Sequence, residues 1–473
     1  MQTHWIDNRA FPGSGDALDV LDPATEELID TIPRGHANDV EAAVLAARRA
    51  FEPWAARSPT QRRQLIVTAI DRLTQIRNEV AHLLTREMGK PLLHSLNEVN
   101  KAIEGMRSYA EMVIHLRSGQ QMAADLELNF QQRFARGVCA CVMPWNFPVA
   151  LGLDNVVPNL LVGNTVVWKP SEKTPLTSRL IVERVFDHLP TGVVNVLLGD
   201  GPTVGEALVR HPQVDLLVFV GSEPTGRHLG AICGQSLKKA ILELGGKDAL
   251  IVDETVDVAS AARLAAEAAF SNAGQICTST ERLYIARKIF PEFVNALTEQ
   301  ARAIRQGNGL RDGIQMGPLV DHNQLSIVSL QVQEALAAGA SLHHGGARMP
   351  GKGFFYPPTV ISHPDPNGRL MTEETFGPVA PCIAFDDFDE AIEMANCTRF
   401  GLASMVMTTS APRALRAIHS LRAGMVKINT LRGKAPGGSS EPVKSSGLGH
   451  GFGMEFFHEI TTQKSVHWRA LPS

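Results

Sequence analysis

None of the six cysteines in this 473-residue chain, at positions 139, 141, 233, 277, 382 and 397, forms a CxxC pair or a spacing that frames a disulfide network or a zinc site. A disulfide-stapled architecture is therefore excluded, and the thiols are expected to be reduced. The sixteen histidines are scattered; adjacent His343 and His344 precede two glycines in what reads as a turn and join no ligand cluster, so no metal site is expected. The opening stretch "MQTHWIDNRAFPGSGD" carries charge and proline early and lacks an apolar run of signal-peptide length, which leads us to expect a cytoplasmic protein. Charge of one sign is not in excess. A net charge of -4, with 20% charged and 44% apolar residues, describes a globular chain and gives no reason to expect nucleic acid or an anionic membrane as partner. There is no internal repeat, and no strict GxGxxG follows a strand, so the usual dinucleotide fingerprint is missing.

What is present divides the chain. At 473 residues it is too long for one core, so two or three lobes with a cleft between them are expected. Residues 37–116 read as helical: in "QLIVTAIDRLTQIRNEVAHLL" the apolar residues Leu65, Ile66, Ile70, Leu73, Ile76, Val80, Leu83 and Leu84 recur every three or four positions. The period then changes. "GVCACVM", "NTVVWK", "VVNVLL", "DLLVFV" and "ALIV" are short β-rich runs separated by helix-like segments such as 174–188 and 224–234. Apolar strands alternating with helices imply parallel pairing through right-handed crossovers, hence a doubly wound α/β sheet. A second α/β stretch begins near Gly246, with helices over about 256–272 and 324–338 and strands near "GLASMVMT" and "GMVKIN". The Gly/Ser-rich piece at 434–453 reads as a loop.

Four short stretches carry candidate chemistry. In "SNAGQICTST" (271–280), Cys277 stands among small and polar residues at a helix end, a setting that exposes a thiol for nucleophilic work, whereas the alternative is a packed core cysteine. In "LELGGKD" (242–248), Glu243 ends an apolar run before two glycines; it is either a poorly solvated base that activates water or an end-of-strand acid paired with a lysine. "MPWNFP" (143–148) holds Asn146 in a rigid turn, either as an oxyanion donor or as the cap of the following helix. "VVWKPSEKTP" (166–175) places Lys169 and Glu172 just after a strand, suited to ribose hydroxyls or else surface charge. Among glycine loops, "FVGSEPTG" (219–226) leads from a strand into a helix, so the backbone at Gly221 and Ser222 is placed for a pyrophosphate.

Taken in order, "MPWNFP", "WKPSE", "FVGS", "LELGGK", "NAGQIC" and "EETFGP" resemble the aldehyde dehydrogenase superfamily over most of the chain. The resemblance implies an α/β fold made of a doubly wound Rossmann-like cofactor domain (1–116 and 137–245), an α/β catalytic domain (246–456) and a small β bridging or oligomerisation element (117–136 and 457–473). It implies Cys277 as nucleophile, Glu243 as general base and Asn146 as one half of an oxyanion hole, the other half being the Cys277 backbone N–H. It assigns Lys169 and Glu172 to the adenosine ribose, Gly221, Ser222 and Gly226 to the pyrophosphate segment, Glu374 to the nicotinamide ribose, and Pro144, Trp145 and Phe376 to packing around the cofactor. Phe147, Asp154 and Thr278 are expected beside the aldehyde. The implied reaction is oxidation of an aldehyde to a carboxylic acid through a cysteine thiohemiacetal and thioester, with hydride transfer to NAD in preference to NADP because Glu172 faces the ribose. The alternatives are a coenzyme-A-acylating enzyme, which retention of Glu243 disfavours, and a non-redox thiol hydrolase or binding protein.

One stretch departs from the family. Its "PFGGxKxSGxGRE"-like run survives here only as Lys444 to Gly449, with the upstream part altered over 434–446. Asp154, eight residues after Asn146, is expected to face the aldehyde tunnel and to disfavour an anionic substrate, unless it pairs with a cation such as Lys444. "LELNFQQRFAR" (126–136) and "TTQKSVHW" resemble bridging strands that pair between subunits, which implies a homodimer or homotetramer.

Overall fold

A computed structural model of the chain describes residues 1–116, 121–124, 127–431 and 438–469. The first sheet has eight strands, ordered Gly447–Leu448, Lys239–Glu243, Leu216–Val220, Val138–Val142, Thr165–Lys169, Val194–Val196, His4–Ile6 and Arg9–Phe11. The five from Lys239–Glu243 to Val194–Val196 run parallel, and antiparallel strands close both edges. Alternation along the strands explains why both faces are covered. Val138, Ala140 and Val142 join one apolar cluster while Cys139 and Cys141 join another on the opposite side. The second cluster is filled by the helices Pro59–Met88, Leu92–Met112 and Pro148–Val162, the first by Ala37–Ala55 and Glu223–Gln235. This is the doubly wound arrangement expected from the strand–helix alternation.

Local signals set the helix ends. Ser58 accepts a hydrogen bond from the Gln61 N–H at 3.2 Å, the Gln61 side-chain oxygen accepts the Ser58 N–H at 3.0 Å, and Pro59 occupies the first turn of Pro59–Met88. Gly89, at φ 90°, ends that helix in the left-handed region. The helices expected over 256–272 and 324–338 are found at Val258–Phe270 and His322–Ala337.

The second sheet has seven strands, ordered Ser341–His344, Thr359–Ser362, Val379–Phe385, Thr280–Ala286, Asp248–Val252, Ala403–Met407 and Met425–Ile428, around its own core. His343 and His344 end its edge strand and do not sit in the turn expected; His343 lies 2.7 Å from the Ser362 hydroxyl. Gly447–Leu448 leaves the second half of the chain and pairs with Lys239–Glu243 of the first sheet, which stitches the two together behind Glu243. A three-stranded sheet places Glu127–Ala135 between Gln121–Ala124 and Thr461–Arg469. The two segments that resemble bridging strands between subunits thus pair with one another within the chain, and the outer strands keep one side each without a neighbour among the described residues.

In the first sheet the chain runs from Val138–Val142 to Thr165–Lys169 and Val194–Val196 on one side, then returns to add Leu216–Val220 and Lys239–Glu243 on the other. The switch point lies between Val138–Val142 and Leu216–Val220, so a crevice opens beyond the carboxyl ends of those strands. The helix Pro148–Val162 packs over this region through Gly152, where an added Cβ would stand 2.1 Å from the Trp168 indole. Gly152→Ala is expected to overpack this contact and cost about 1–3 kcal/mol, read as a lower thermal unfolding midpoint; an unchanged midpoint would show that helix and indole separate freely.

Candidate active site

Cys277 follows a turn that few sequences tolerate. After the helix Val258–Phe270, Asn272, Ala273 and Gly274 adopt φ of 53°, 55° and 70° in succession. Such left-handed backbone is strained for a side-chain-bearing residue. Gly274 is required for a second reason, since a Cβ there would lie 2.1 Å from the Gly377 carbonyl oxygen. The turn delivers Cys277, half-buried, into a cavity of about 860 Å³ at the switch-point crevice.

That cavity collects residues from every motif singled out in the sequence. Asn146, Pro144 and Trp145 arrive from the end of Val138–Val142, Lys169 and Glu172 from the end of Thr165–Lys169, Gly221 and Ser222 from Leu216–Val220, and Glu243 from the end of Lys239–Glu243. Glu374 and Phe376 enter from the second half of the chain. Gly226 is buried on the helix Glu223–Gln235, where a Cβ would strike the Leu244 side chain at 2.2 Å; it seats the helix against the sheet. Phe147 and Thr278 lie outside this cavity and line a second one of about 370 Å³, together with Ile276. Asp154 lines neither cavity: its Oδ1 is 2.8 Å from the Cβ position of Gly105 on the helix Leu92–Met112.

The alternatives left open by the sequence can now be weighed. Asn146 is buried and does not cap the following helix; its Nδ2 donates to the Gln275 carbonyl at 3.1 Å, two residues before Cys277. The helix N-terminus is instead satisfied by Glu98, which accepts from the N–H groups of Val149 at 3.0 Å and Ala150 at 3.1 Å. The lysines nearest Glu243 in sequence are engaged elsewhere, Lys239 with Glu459 and Lys247 with Glu281. Lys169 is no surface charge: it is buried and pairs with Glu172 at 3.0 Å. Lys444 donates to the carbonyls of Asn396 at 2.9 Å and Thr398 at 3.1 Å, and is not the partner expected for Asp154. Of the altered 434–446 loop, residues 434–437 lie outside the described residues.

Several residues that position the site had no sequence assignment. The Lys90 ammonium donates to the Asn146 carbonyl at 2.8 Å and pairs with Glu98. Lys247 pairs with Glu281 at 2.7 Å, and Glu281 accepts the N–H groups of Thr375 and Phe376, each at 2.8 Å. Glu374 is thereby folded across Gly245 and Gly246, accepting the Gly246 N–H at 3.2 Å; a Cβ on Gly245 would meet its carboxylate at 2.4 Å. Phe376 packs edge-on against Trp145 with ring centroids 5.3 Å apart. Lys247 lay inside the quoted "LELGGK" block, and only its burial separates it from a surface lysine.

Electrostatics in the cleft disfavour charge on the sulfur. Burial first, then the carboxyl groups of Glu243, Asp248 and Glu374, push the Cys277 thiol up to about 12. Burial and the Glu281 charge push Glu374 up to about 8. Glu172 goes the other way: burial opposes its charge, but the Lys169 ammonium and its own backbone N–H outweigh it and hold the carboxyl below its ordinary value.

The chain matches the model of the aldehyde dehydrogenase family over residues 11–466. It is 36% identical over 458 residues to a mitochondrial aldehyde dehydrogenase of Leishmania tarentolae, covering 96% of this chain and 92% of that protein. The crystal structure of lactaldehyde dehydrogenase from Escherichia coli superposes with a TM-score of 0.96 at 34% identity, covering 99% of each chain. Betaine aldehyde dehydrogenase from Staphylococcus aureus, solved in complex with NAD+, superposes with a TM-score of 0.96 at 29% identity, covering 100% of this chain and 96% of that one.

A thiol held near 12 has a testable reactivity. In the cofactor-free protein the thiolate fraction rises about tenfold per pH unit at every pH well below that value. Alkylation of Cys277 by iodoacetamide, followed by peptide mass, is therefore expected to climb without levelling between roughly pH 7 and 9. A plateau within that range would mean that the carboxyl groups do not act on the sulfur as described.

Proposed function

The chain belongs to the aldehyde dehydrogenase family, and from that premise we propose that it oxidises an aldehyde to a carboxylic acid at Cys277, with NAD as hydride acceptor and water as the source of the second oxygen. The observation that carries this reading is the convergence of Cys277, Glu243 and Asn146 on one cavity whose far side holds Lys169, Glu172 and the start of a thirteen-residue helix. The cavity suits a dinucleotide. Ser222, the N-cap of Glu223–Gln235, makes no side-chain capping bond, which leaves first-turn N–H groups of that helix for a pyrophosphate. Lys169 and Glu172 offer a donor and an acceptor for ribose hydroxyls, and Glu374 offers a second acceptor near the sulfur.

The chain's own residues account for the covalent steps. The Cys277 sulfur adds to the aldehyde carbon and the thiol proton leaves to solvent. The developing oxyanion is held by Asn146 Nδ2 and the Cys277 N–H, donors fixed before the reaction begins. When bound, NAD supplies hydride acceptance, so that aldehyde, water and oxidised NAD become carboxylic acid, reduced NAD and a proton. Glu243 takes a proton from water as its oxygen attacks the Cys277 thioester, and the sulfur leaves as thiolate. A base placed to activate water disfavours the acylating alternative. The three-stranded sheet, whose outer strands keep one edge each without a neighbour among the described residues and on which Leu128 of the central strand and Trp468 of an outer strand face one another and are exposed, supports association of copies of this chain into a homodimer or homotetramer. The six free thiols fit a reducing, cytoplasmic setting.

Cys277→Ala is expected to abolish aldehyde oxidation and any ester hydrolysis together, and Asn146→Ala to lower kcat about 10²–10³-fold. Glu243→Gln is expected to give a burst of reduced NAD followed by slow turnover, because thioester formation survives and hydrolysis does not. Stopped-flow absorbance of reduced NAD separates the cases; steady turnover by Cys277→Ala would remove the sulfur from the reaction.

NAD is expected to give a higher kcat/KM than NADP. A charged Glu172 beside the ribose would face the 2′-phosphate, and like charges at that range repel. Glu172→Gln should narrow the gap, and equal efficiency of the two cofactors in the unaltered enzyme would refute this role.

A further inference from the structure

Resting on the dehydrogenase reading above, we propose that the second cavity holds the far end of the aldehyde and selects a substrate with an anionic tail, a carboxylate, sulfonate or phosphate, through Lys427, with Lys101 at its mouth. The cavity begins at Ile276 and Thr278, which flank Cys277, and at Phe147, which follows Asn146. Cys277 itself lines the larger cavity, and in the proposed pose the substrate's remaining atoms pass Ile276 and Thr278 into this one. From there the cavity runs between the helix Leu92–Met112 and the strands of the second sheet to Lys427 on Met425–Ile428.

Lys427 is the unusual member of the lining. It is 9% exposed, its side chain lines the cavity, and its ammonium makes no hydrogen bond or ion pair among the described residues. Every other cation near it is accounted for differently. Lys90 is neutralised by Glu98 and donates to the Asn146 carbonyl. Lys101 and Glu267 are both exposed at the rim. His94 is held below its ordinary value by burial and by Lys90 and Lys101, so at neutral pH it is an uncharged hydrogen-bonding group. Asp248, which also lines the cavity, accepts the Ala403 N–H at 3.1 Å; burial pushes it up to about 8 against the opposing effects of that N–H and of the Lys427 charge, so at pH 7 the protonated form predominates. The inner cavity therefore carries one uncompensated positive charge, and an anionic tail supplies the missing partner. This runs opposite to the preference expected from Asp154, whose carboxylate lies against the neighbouring helix and outside the lining.

The test measures NAD reduction with succinic and glutaric semialdehyde, each against its uncharged terminal amide, in the unaltered enzyme and in Lys427→Gln, Lys427→Arg and Lys101→Gln. The expected result is a preference for the acid of at least about tenfold in kcat/KM, carried by KM, that Lys427→Gln brings close to unity and Lys427→Arg retains. Lys101→Gln, at an exposed position that leaves folding intact, is expected to lower the ratio about two- to fivefold in dilute buffer and to have no effect in strong salt. If Lys427→Gln does not fold, the ratio in the unaltered enzyme and the Lys427→Arg and Lys101→Gln ratios still decide. An acid-to-amide ratio of one or less, with the amides turned over, overturns the inference and leaves the dehydrogenase reading intact. Absence of NAD reduction with all four compounds and with acetaldehyde overturns that reading, and this inference with it.

Discussion

The buried Lys247–Glu281 ion pair fixes the geometry on which the cleft depends. Both side chains are almost fully enclosed, at 0% and 3% exposure; Lys247 also donates to the Thr375 hydroxyl, and Glu281 also accepts the N–H groups of Thr375 and Phe376. A pair so placed adds little net stability against an apolar replacement, but loss of either partner strands a charge and costs about 3–5 kcal/mol. Its consequence is positional. Because Glu281 grips two successive N–H groups, the loop carrying Glu374 and Phe376 cannot lift away from the two glycines of "LELGGK". Lys90 and Glu98 perform the corresponding task from the first sheet, one holding the Asn146 carbonyl and the other the start of the helix Pro148–Val162. The groups that face the cleft are thus placed by backbone clamps behind them.

The same enclosure sets the charge state of the sulfur. Burial first, and the Glu243 carboxyl after it, disfavour the Cys277 thiolate, with Asp248 and Glu374 adding to the effect as they ionise, which guards the sulfur against chance alkylation and oxidation. By the same Coulomb relation, any positive charge brought into the cleft stabilises the thiolate.

Much of this was legible in the chain. Cys277, Glu243, Asn146, Lys169 and Glu172 each sit at a strand end or helix end inside a short contiguous block, where local pattern and position agree. The central strands declared themselves as apolar runs. The short strands His4–Ile6 and Arg9–Phe11 did not, because three residues are too few to display a period. The clamps were hidden for another reason: Lys247 and Glu281 are separated by 34 positions in sequence, and a charged residue shows its burial only when the fold brings its partner. Asp154 shares a helix face with Ala150 and Leu151, which line the two cavities, but stands one turn further along the helix, beside Gly105.

Cys277 and its two chain neighbours line different cavities. The succession of left-handed residues Asn272, Ala273 and Gly274 reverses the chain sharply enough that Cys277 opens on the larger cavity while Ile276 and Thr278 line the smaller. Such backbone persists only where the surroundings over-determine it. Gln275 supplies that constraint. It is fully buried; its side-chain nitrogen donates to the Asn272 carbonyl at 3.0 Å and the Pro318 carbonyl at 3.3 Å, and its side-chain oxygen accepts the Val320 N–H at 2.9 Å. Its own carbonyl receives the amides of both Asn146 and Asn272. A residue bonded on every polar atom cannot rotate without leaving a buried group unmet, so the turn, the Cys277 sulfur and the Asn146 amide move together or not at all.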